Sequence, residues 1–242
     1  MCTVTFIPVR EKVFITSNRD EKQLRLPAIS PSIYRFSTGK ILFPKDANAG
    51  GSWFAIHENG NAIVFLNGAW EKHEPRHPYK KSRGLILLDL ADSENPLQGF
   101  QKSDLENVEP FTAIIWQDTC LYECRWDGTE KYENRVNEKL AHIWSSVTLY
   151  DENIIARRKS WFTKWLEENP RPSQDDILQF HQFSGEGDQQ NDLLMNRNNI
   201  VLTVSVTSAA ISENSACMKY INTRSQQSSV HNIALHKSIP VK

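Results

Sequence analysis

Met1-Cys2-Thr3-Val4-Thr5-Phe6-Ile7 opens the chain, and Val13-Phe14-Ile15-Thr16-Ser17 runs on into Asn18-Arg19-Asp20-Glu21. The first two runs are rich in β-branched and aromatic residues, which suits strands. Only Pro8 to Lys12 separates them, too little chain for anything but a hairpin. A two-residue turn at Arg10 and Glu11 makes paired residue numbers sum to 21. Cys2 then sits opposite Arg19 on the same face, with Asp20 next along the strand. A slip of one residue would move every side chain to the other face, so this register is a sharp expectation.

Cys2 matters because the initiator Met before a small residue can be removed. The new terminus would carry a thiol beside a free α-amine of ordinary pKa about 7.7–8.0. That amine could act near neutral pH as the base for its own nucleophile. Nearby positive charge raises the thiolate fraction.

Outward from the hairpin, Leu24 to Ser32 reads as an irregular connection containing Pro27 and Pro31. Residues 33–36 and 40–43 flank Ser37-Thr38-Gly39 as a second hairpin. Trp53 to His57 and Ala62 to Leu66 flank Glu58-Asn59-Gly60-Asn61 as a third. Successive hairpins argue against a doubly wound parallel sheet. Ser82 is a good N-cap for a buried helix over 83–90, and 95–106 reads as a second short helix. Residues 111–116, 120–126 and 131–135 are antiparallel strands. Residues 143–150 are strand or loop. Asp151 caps a helix over 152–168, Ser173 caps another to Phe183, and 184–199 is a long loop. Strands at 200–211, 216–221 and 230–235 close the chain. The order strands, helices, helices, strands fits an α+β sandwich, with helices in two layers outside two sheets.

The chain has 242 residues, 39% of them hydrophobic and 24% charged, which suits one domain over 1–242. A formal net charge of −1 gives no reason to expect nucleic acid. No apolar run approaches the roughly twenty residues of an integral membrane segment. The start of the chain lacks the basic and apolar regions of a signal peptide, so a cytoplasmic location is expected. Cys120, Cys124 and Cys217 read as buried small hydrophobes. His73, Glu74 and His77 sit near zinc-ligand spacing, but Pro75 and Pro78 break helical geometry and no partner pair follows. Neither a metal nor a cofactor is expected.

Met1-Cys2-Thr3, Ser17-Asn18-Arg19-Asp20-Glu21, Pro44-Lys45-Asp46, Ala49-Gly50-Gly51-Ser52-Trp53 and Leu66-Asn67-Gly68 occur in that order. Together they resemble the NRDE family, which includes the transport and Golgi organization protein 2 (TANGO2-like) proteins. That family is similar to N-terminal nucleophile (Ntn) hydrolases, including bile-salt hydrolases and penicillin V acylases, which also begin Met-Cys-Thr. The resemblance implies a four-layer αββα sandwich with two mainly antiparallel sheets. It also implies hydrolysis of a linear amide.

Such chemistry needs a base, a nucleophile, an oxyanion hole and a group that orients the amine. Cys2 would supply the first two. Arg19 would support the thiolate or bind a substrate carboxylate, and Asp20 would hold the α-ammonium. Asn67 resembles the oxyanion-hole Asn of bile-salt hydrolases. Ser146 falls about where those enzymes carry a second Asn, a departure, because a hydroxyl is shorter and its donor direction is not fixed. Asn18, Trp53 and Arg157 (or its neighbour Arg158) are the candidate substrate-binding residues. The expected partner is a small-molecule substrate or ligand. The alternative is a non-catalytic lipid- or haem-binding or trafficking protein on the same scaffold.

Overall fold

The computed structural model describes residues 3–76 and 78–236; Met1, Cys2, His77 and residues 237–242 lie outside it. Its strands are β1 (Thr3–Val9), β2 (Lys12–Lys22), β3 (Ile29–Arg35), β4 (Lys40–Lys45), β5 (Phe54–His57), β6 (Ala62–Asn67), β7 (Phe111–Gln117), β8 (Cys120–Trp126), β9 (Lys131–Val136), β10 (His142–Ser145), β11 (Asn196–Arg197), β12 (Val201–Ile211), β13 (Ser215–Asn222) and β14 (Gln227–Ala234). The helices are α1 (Arg83–Ala91), α2 (Pro96–Lys102), α3 (Glu152–Glu168) and α4 (Gln174–Phe183).

The opening hairpin forms in the expected register. Thr3 pairs with Asn18 and Val9 with Lys12, and Arg10 takes a left-handed φ of +53° in the turn. This hairpin is the middle of the first sheet, ordered β10-β1-β2-β12-β13-β14, with β11 beside β12. The second sheet is a seven-stranded meander, β3 to β9. All strand pairs in both are antiparallel.

Alternation along each strand builds three apolar layers. Val4, Phe6 and Ile15 meet Leu42, Phe54, Val64 and Ile114 between the sheets. Ile63, Phe65 and Ala113 face the other way, against Ile86, Leu87 and Leu90 of α1. Ile7 and Phe14 face Phe162 of α3 and Ile177 and Phe180 of α4. The result is an αββα sandwich. Ser82, Asp151 and Ser173 cap their helices as expected, each accepting a backbone N–H of the first turn, and Asn95, which the sequence places inside the second helix, caps α2 in the same way.

Three expectations need correction. The connection after β2 is shorter than expected, because β3 starts at Ile29 and runs through Pro31. Proline is tolerated there because β3 is an edge strand whose register shifts between Ile29 and Ser32. The loop over 184–199 contains the short strand β11. Cys124 is buried, and burial pushes its thiol up to about 12, but Cys120 and Cys217 are only half-buried.

Candidate functional site

Arg19 and Asp20 are adjacent, so the pleat sends them to opposite faces of β2. Arg19 shares the face of Ile15, which lies between the sheets. Its guanidinium is buried, lies 4.4 Å from the centre of the Trp53 ring and donates to Asp46 Oδ2. Burial lowers the Arg19 pKa, and the charges of Asp46 and Glu21 oppose that.

Asp46 is the hub of this side. Its Oδ1 accepts from the backbone N–H of Asn48 (3.0 Å) and Ala49 (2.8 Å), and Arg25 forks onto both oxygens at 2.9 and 3.0 Å. Burial pushes its carboxyl up, yet the hydrogen bonds from Arg25 and Ala49 and the two cations outweigh that and hold the pKa below the ordinary value. The loop that carries Asp46 and leads to Trp53 is fixed by a close backbone contact. Ser52 N donates to Gly84 O at 3.0 Å, and a Cβ on Gly51 would sit 2.7 Å from that same oxygen. Only glycine fits at that approach.

Asn18 and Asp20 face the helices. The Asn18 amide donates to the carbonyls of His181 (3.1 Å) and Leu193 (2.6 Å), so its Oδ1 must accept from His181 Nδ1 at 2.5 Å. His181 Nε2 then accepts the Thr5 hydroxyl at 2.8 Å. Burial, followed by the charge of Arg158, lowers the His181 pKa to about 3, so the ring is neutral. Asp20 accepts from the Tyr150 hydroxyl at 2.7 Å and from Thr203 Oγ1 at 2.5 Å. Across from the Arg19-Asp20 step, β12 carries an extra residue, with Thr203 against Asp20 and Ser205 against Arg19. Such a bulge re-aims side chains, and bulges are common beside sites.

Asn67 ends β6 and is half-buried, and Gly68 turns the chain after it with φ +80°. The Ser146 hydroxyl donates to the Asn67 carbonyl at 2.8 Å. Its one hydrogen is thereby committed, so the contact with Thr148 at 2.9 Å has the Thr148 hydroxyl as donor. Ser146 directly follows β10, whose Ser145 pairs with Thr3. The structure therefore brings Asn67 and Ser146 together beside the start of β1.

Across 1–231 the chain matches the sequence profile of the Transport and Golgi organisation 2 family. It belongs to that family. No curated protein matches it in sequence. Among solved structures it is similar to the Caenorhabditis elegans N-acylethanolamine-hydrolyzing acid amidase ortholog, at 11% identity and a TM-score of 0.56, over 86% of this chain and 92% of that one. It is also similar to two variants of the conjugated bile acid hydrolase from Clostridium perfringens. Both are 11% identical over 100% of this chain and 99% of theirs, with TM-scores of 0.55 and 0.57. At that identity the likeness is one of fold: this member of the Transport and Golgi organisation 2 family has the Ntn-hydrolase sandwich.

Of the residues singled out in the sequence, Cys2 lies outside the described residues. Trp53 is buried against Arg19, and its indole N–H has no hydrogen-bond partner among the described residues. Arg157 is partly exposed and paired with Glu186 at 2.6 Å. Its neighbour Arg158 is fully buried and donates to Thr3 Oγ1 (2.5 Å) and to the carbonyls of Asn191 and Asp192 (2.9 and 2.7 Å). It also stacks 3.6 Å from the centre of the Tyr150 ring. Sequence reasoning quoted Asp46 within a motif but gave it no role, and it passed over Tyr150 and Thr203. Helical spacing could have singled out Arg158, since Ile154, Arg158 and Phe162 repeat every four residues on one face. His73 meets Glu109 at 3.3 Å. Among the described residues no His, Cys, Asp and Glu side chains gather as a metal site, and no helix is long and apolar enough to cross a membrane.

Proposed function

We propose that this chain is an N-terminal-nucleophile cysteine amidohydrolase, cleaving a linear amide bond of a small acyl-amide substrate in the cytoplasm. Its hydrolase-like scaffold supports the reading, and one observation carries it. Thr3, the first residue of β1, pairs with Asn18 on one side and with Ser145 on the other, so Arg19 and Ser146 each lie one step beyond the described start of β1. Both are candidate site residues from the sequence, and Ser146 is hydrogen-bonded to Asn67, a third.

In this reading removal of Met1 frees the α-amine of Cys2. The amine takes the thiol proton, and the thiolate attacks the amide carbonyl. The developing oxyanion is held by the Asn67 side-chain amide and a backbone N–H, worth roughly 3–4 kcal/mol for such a donor. Asp20 orients the α-ammonium, which returns its proton to the leaving amine as the C–N bond breaks. Water, deprotonated by the same amine, then cleaves the thioester and restores the thiol. Arg19, fixed by Asp46 and Trp53, supports the thiolate. Ser146 acts as a positioning residue, because its hydrogen is spent on the Asn67 carbonyl. That commitment also favours a second reading, in which the pocket binds a small molecule such as a lipid or haem without turnover.

Intact mass of the purified protein, before and after an electrophilic acyl probe, separates the two. The hydrolase reading expects loss of Met1 and one acyl adduct, absent from Cys2→Ala and slowly hydrolysed in wild type. Acylation of protein that keeps Met1, or of Cys2→Ala, would sink the self-activating mechanism. Unchanged ligand affinity in Cys2→Ala with no adduct in wild type would support the binding reading.

A further inference from the structure

Three turns meet at one end of the first sheet. The chain leaving β2 carries Leu24 and Leu26, which are 97% and 56% exposed, and Ile200, just before β12, is 66% exposed. Gln23 N donates to Ile200 O at 2.9 Å, which ties the first two turns together. Arg224, in the turn between β13 and β14, ties in the third. Its guanidinium donates to the carbonyls of Gln23 (2.7 Å), Lys22 (3.3 Å) and Arg25 (3.3 Å).

Much of the backbone flanking the tip is already satisfied. Besides those three carbonyls, Lys22 N donates to Glu21 Oε1, Arg25 N to Lys22 O and Leu26 N to Asn48 Oδ1. A peptide group carried unpaired into an apolar medium is costly, and here most of that cost is absent. The charges are sorted as well. Glu21 and Asp46 turn inward to Arg25 and Arg19. Lys22 and Arg224 are exposed, and among the described residues neither has a carboxylate partner. The surface is thus an apolar tip with a positive collar. An exposed apolar tip with cations beside it is complementary to acyl chains beneath anionic head groups.

We propose that this end of the molecule docks on a bilayer surface containing anionic phospholipid. Leu24 is the inserted tip, Leu26 and Ile200 flank it, and Lys22 and Arg224 lie at the head groups. The chain's net charge of −1 does not oppose this, since attraction acts within a Debye length of the local collar. Arg25, Leu26, Pro27 and Arg224 also roof a cavity of about 10 Å³ whose other walls include Arg19 and Tyr220. The docking surface therefore shares a wall with the candidate site, although docking does not depend on catalysis there.

Vesicle flotation tests it, with phosphatidylcholine alone and with phosphatidylserine added. The full chain is compared with a Leu24→Asp/Ile200→Asp double variant and with Lys22→Glu. All three positions are exposed, and thermal melts verify folding; Leu24→Ser replaces the double variant if that one melts early. Wild type is expected to float with the phosphatidylserine vesicles and to release as salt rises. Partitioning should fall at least about tenfold in the apolar variant, as expected for losing buried leucine-sized side chains, and less in Lys22→Glu. Equal flotation of wild type and the apolar variant overturns the proposal, as does no flotation of wild type at low salt. A concentration-dependent dimer that the apolar variant loses, without vesicle binding, would assign the surface to a second copy instead.

Discussion

The two faces of β2 use the same four-residue stretch in different ways. Arg19 enters the space between the sheets, where it meets a carboxylate and an indole from the loop between β4 and β5. Asn18 and Asp20 turn to the helices, where they meet His181, Tyr150 and Thr203. The first face holds a cation beside the start of β1. The second locks β1 and β2 to α4 and to the segment before β12. A motif contiguous in sequence therefore meets two environments, one between the sheets and one against the helices. Substitutions on either side test that division.

The largest effect is expected at Asp46. Asp46→Ala leaves Arg19 buried with only the Glu21 carboxylate, 3.7 Å away and shared with Arg25. Loss of one member of a buried ion pair costs about 3–5 kcal/mol. Urea denaturation should show that loss, with Asp46→Asn falling between the variant and wild type because it keeps the shape and the contacts to Asn48 and Ala49. Acyl-probe labelling should slow in both, as Arg19 loses its anchor. A stability within about 1 kcal/mol of wild type would mean that Arg19 finds another partner, and the division would fail on its catalytic side.

The division was half-legible in the sequence. Turn length and the sum rule fixed the β1–β2 register, and strand alternation separates Arg19 from Asp20 once that register is known. Long-range pairing is what the sequence withholds. Asp46 sat within a recognised motif, yet nothing local says that it reaches Arg19 across two sheets. His181 read as an ordinary residue in the last turn of α4, although its ring holds Asn18 and Thr5 together. On α3 the two arginines differ by one position, and only the i, i+4 repeat with Ile154 and Phe162 turns Arg158 inward. The bulge at Thr203 to Ser205 left no trace in composition, since Thr203-Val204-Ser205 reads as uninterrupted strand.

An intermediate effect tests the structural face through pH. His181 has a folded pKa lowered to about 3, against an ordinary value of 6.5. Above pH 6.5 both states hold a neutral ring, and the full stability from this burial is present. As pH falls below that, the unfolded chain binds a proton that the folded chain refuses, so stability declines. The slope approaches about 1.4 kcal/mol per pH unit, or about 2 kcal/mol lost by pH 5. The decline continues toward the folded pKa. Urea midpoints of wild type and His181→Gln between pH 7.5 and 5 measure it. The variant should start less stable and lose less on acidification. Parallel curves would show that the ring protonates in place, and the helix-facing side would then be looser than its hydrogen bonds suggest.

The smallest effect is expected at Arg157, and it bears on where a substrate is held. Arg157 pairs with Glu186 across exposed side chains (37% and 57% exposed), a geometry worth under about 1 kcal/mol. Arg157→Ala should leave the urea midpoint nearly unchanged and alter acyl-probe labelling less than about twofold. Arg158→Ala is the contrast. It strips Thr3 Oγ1 and two partly buried carbonyls of their donors and should cost about 2–4 kcal/mol. If the helix-facing side is structural, the labelling lost in Arg158→Ala should follow its lost stability and recover at lower temperature. A labelling defect in Arg157→Ala at unchanged stability would break that picture. It would return Arg157 to the substrate and require α3 to bring its outer face into the site.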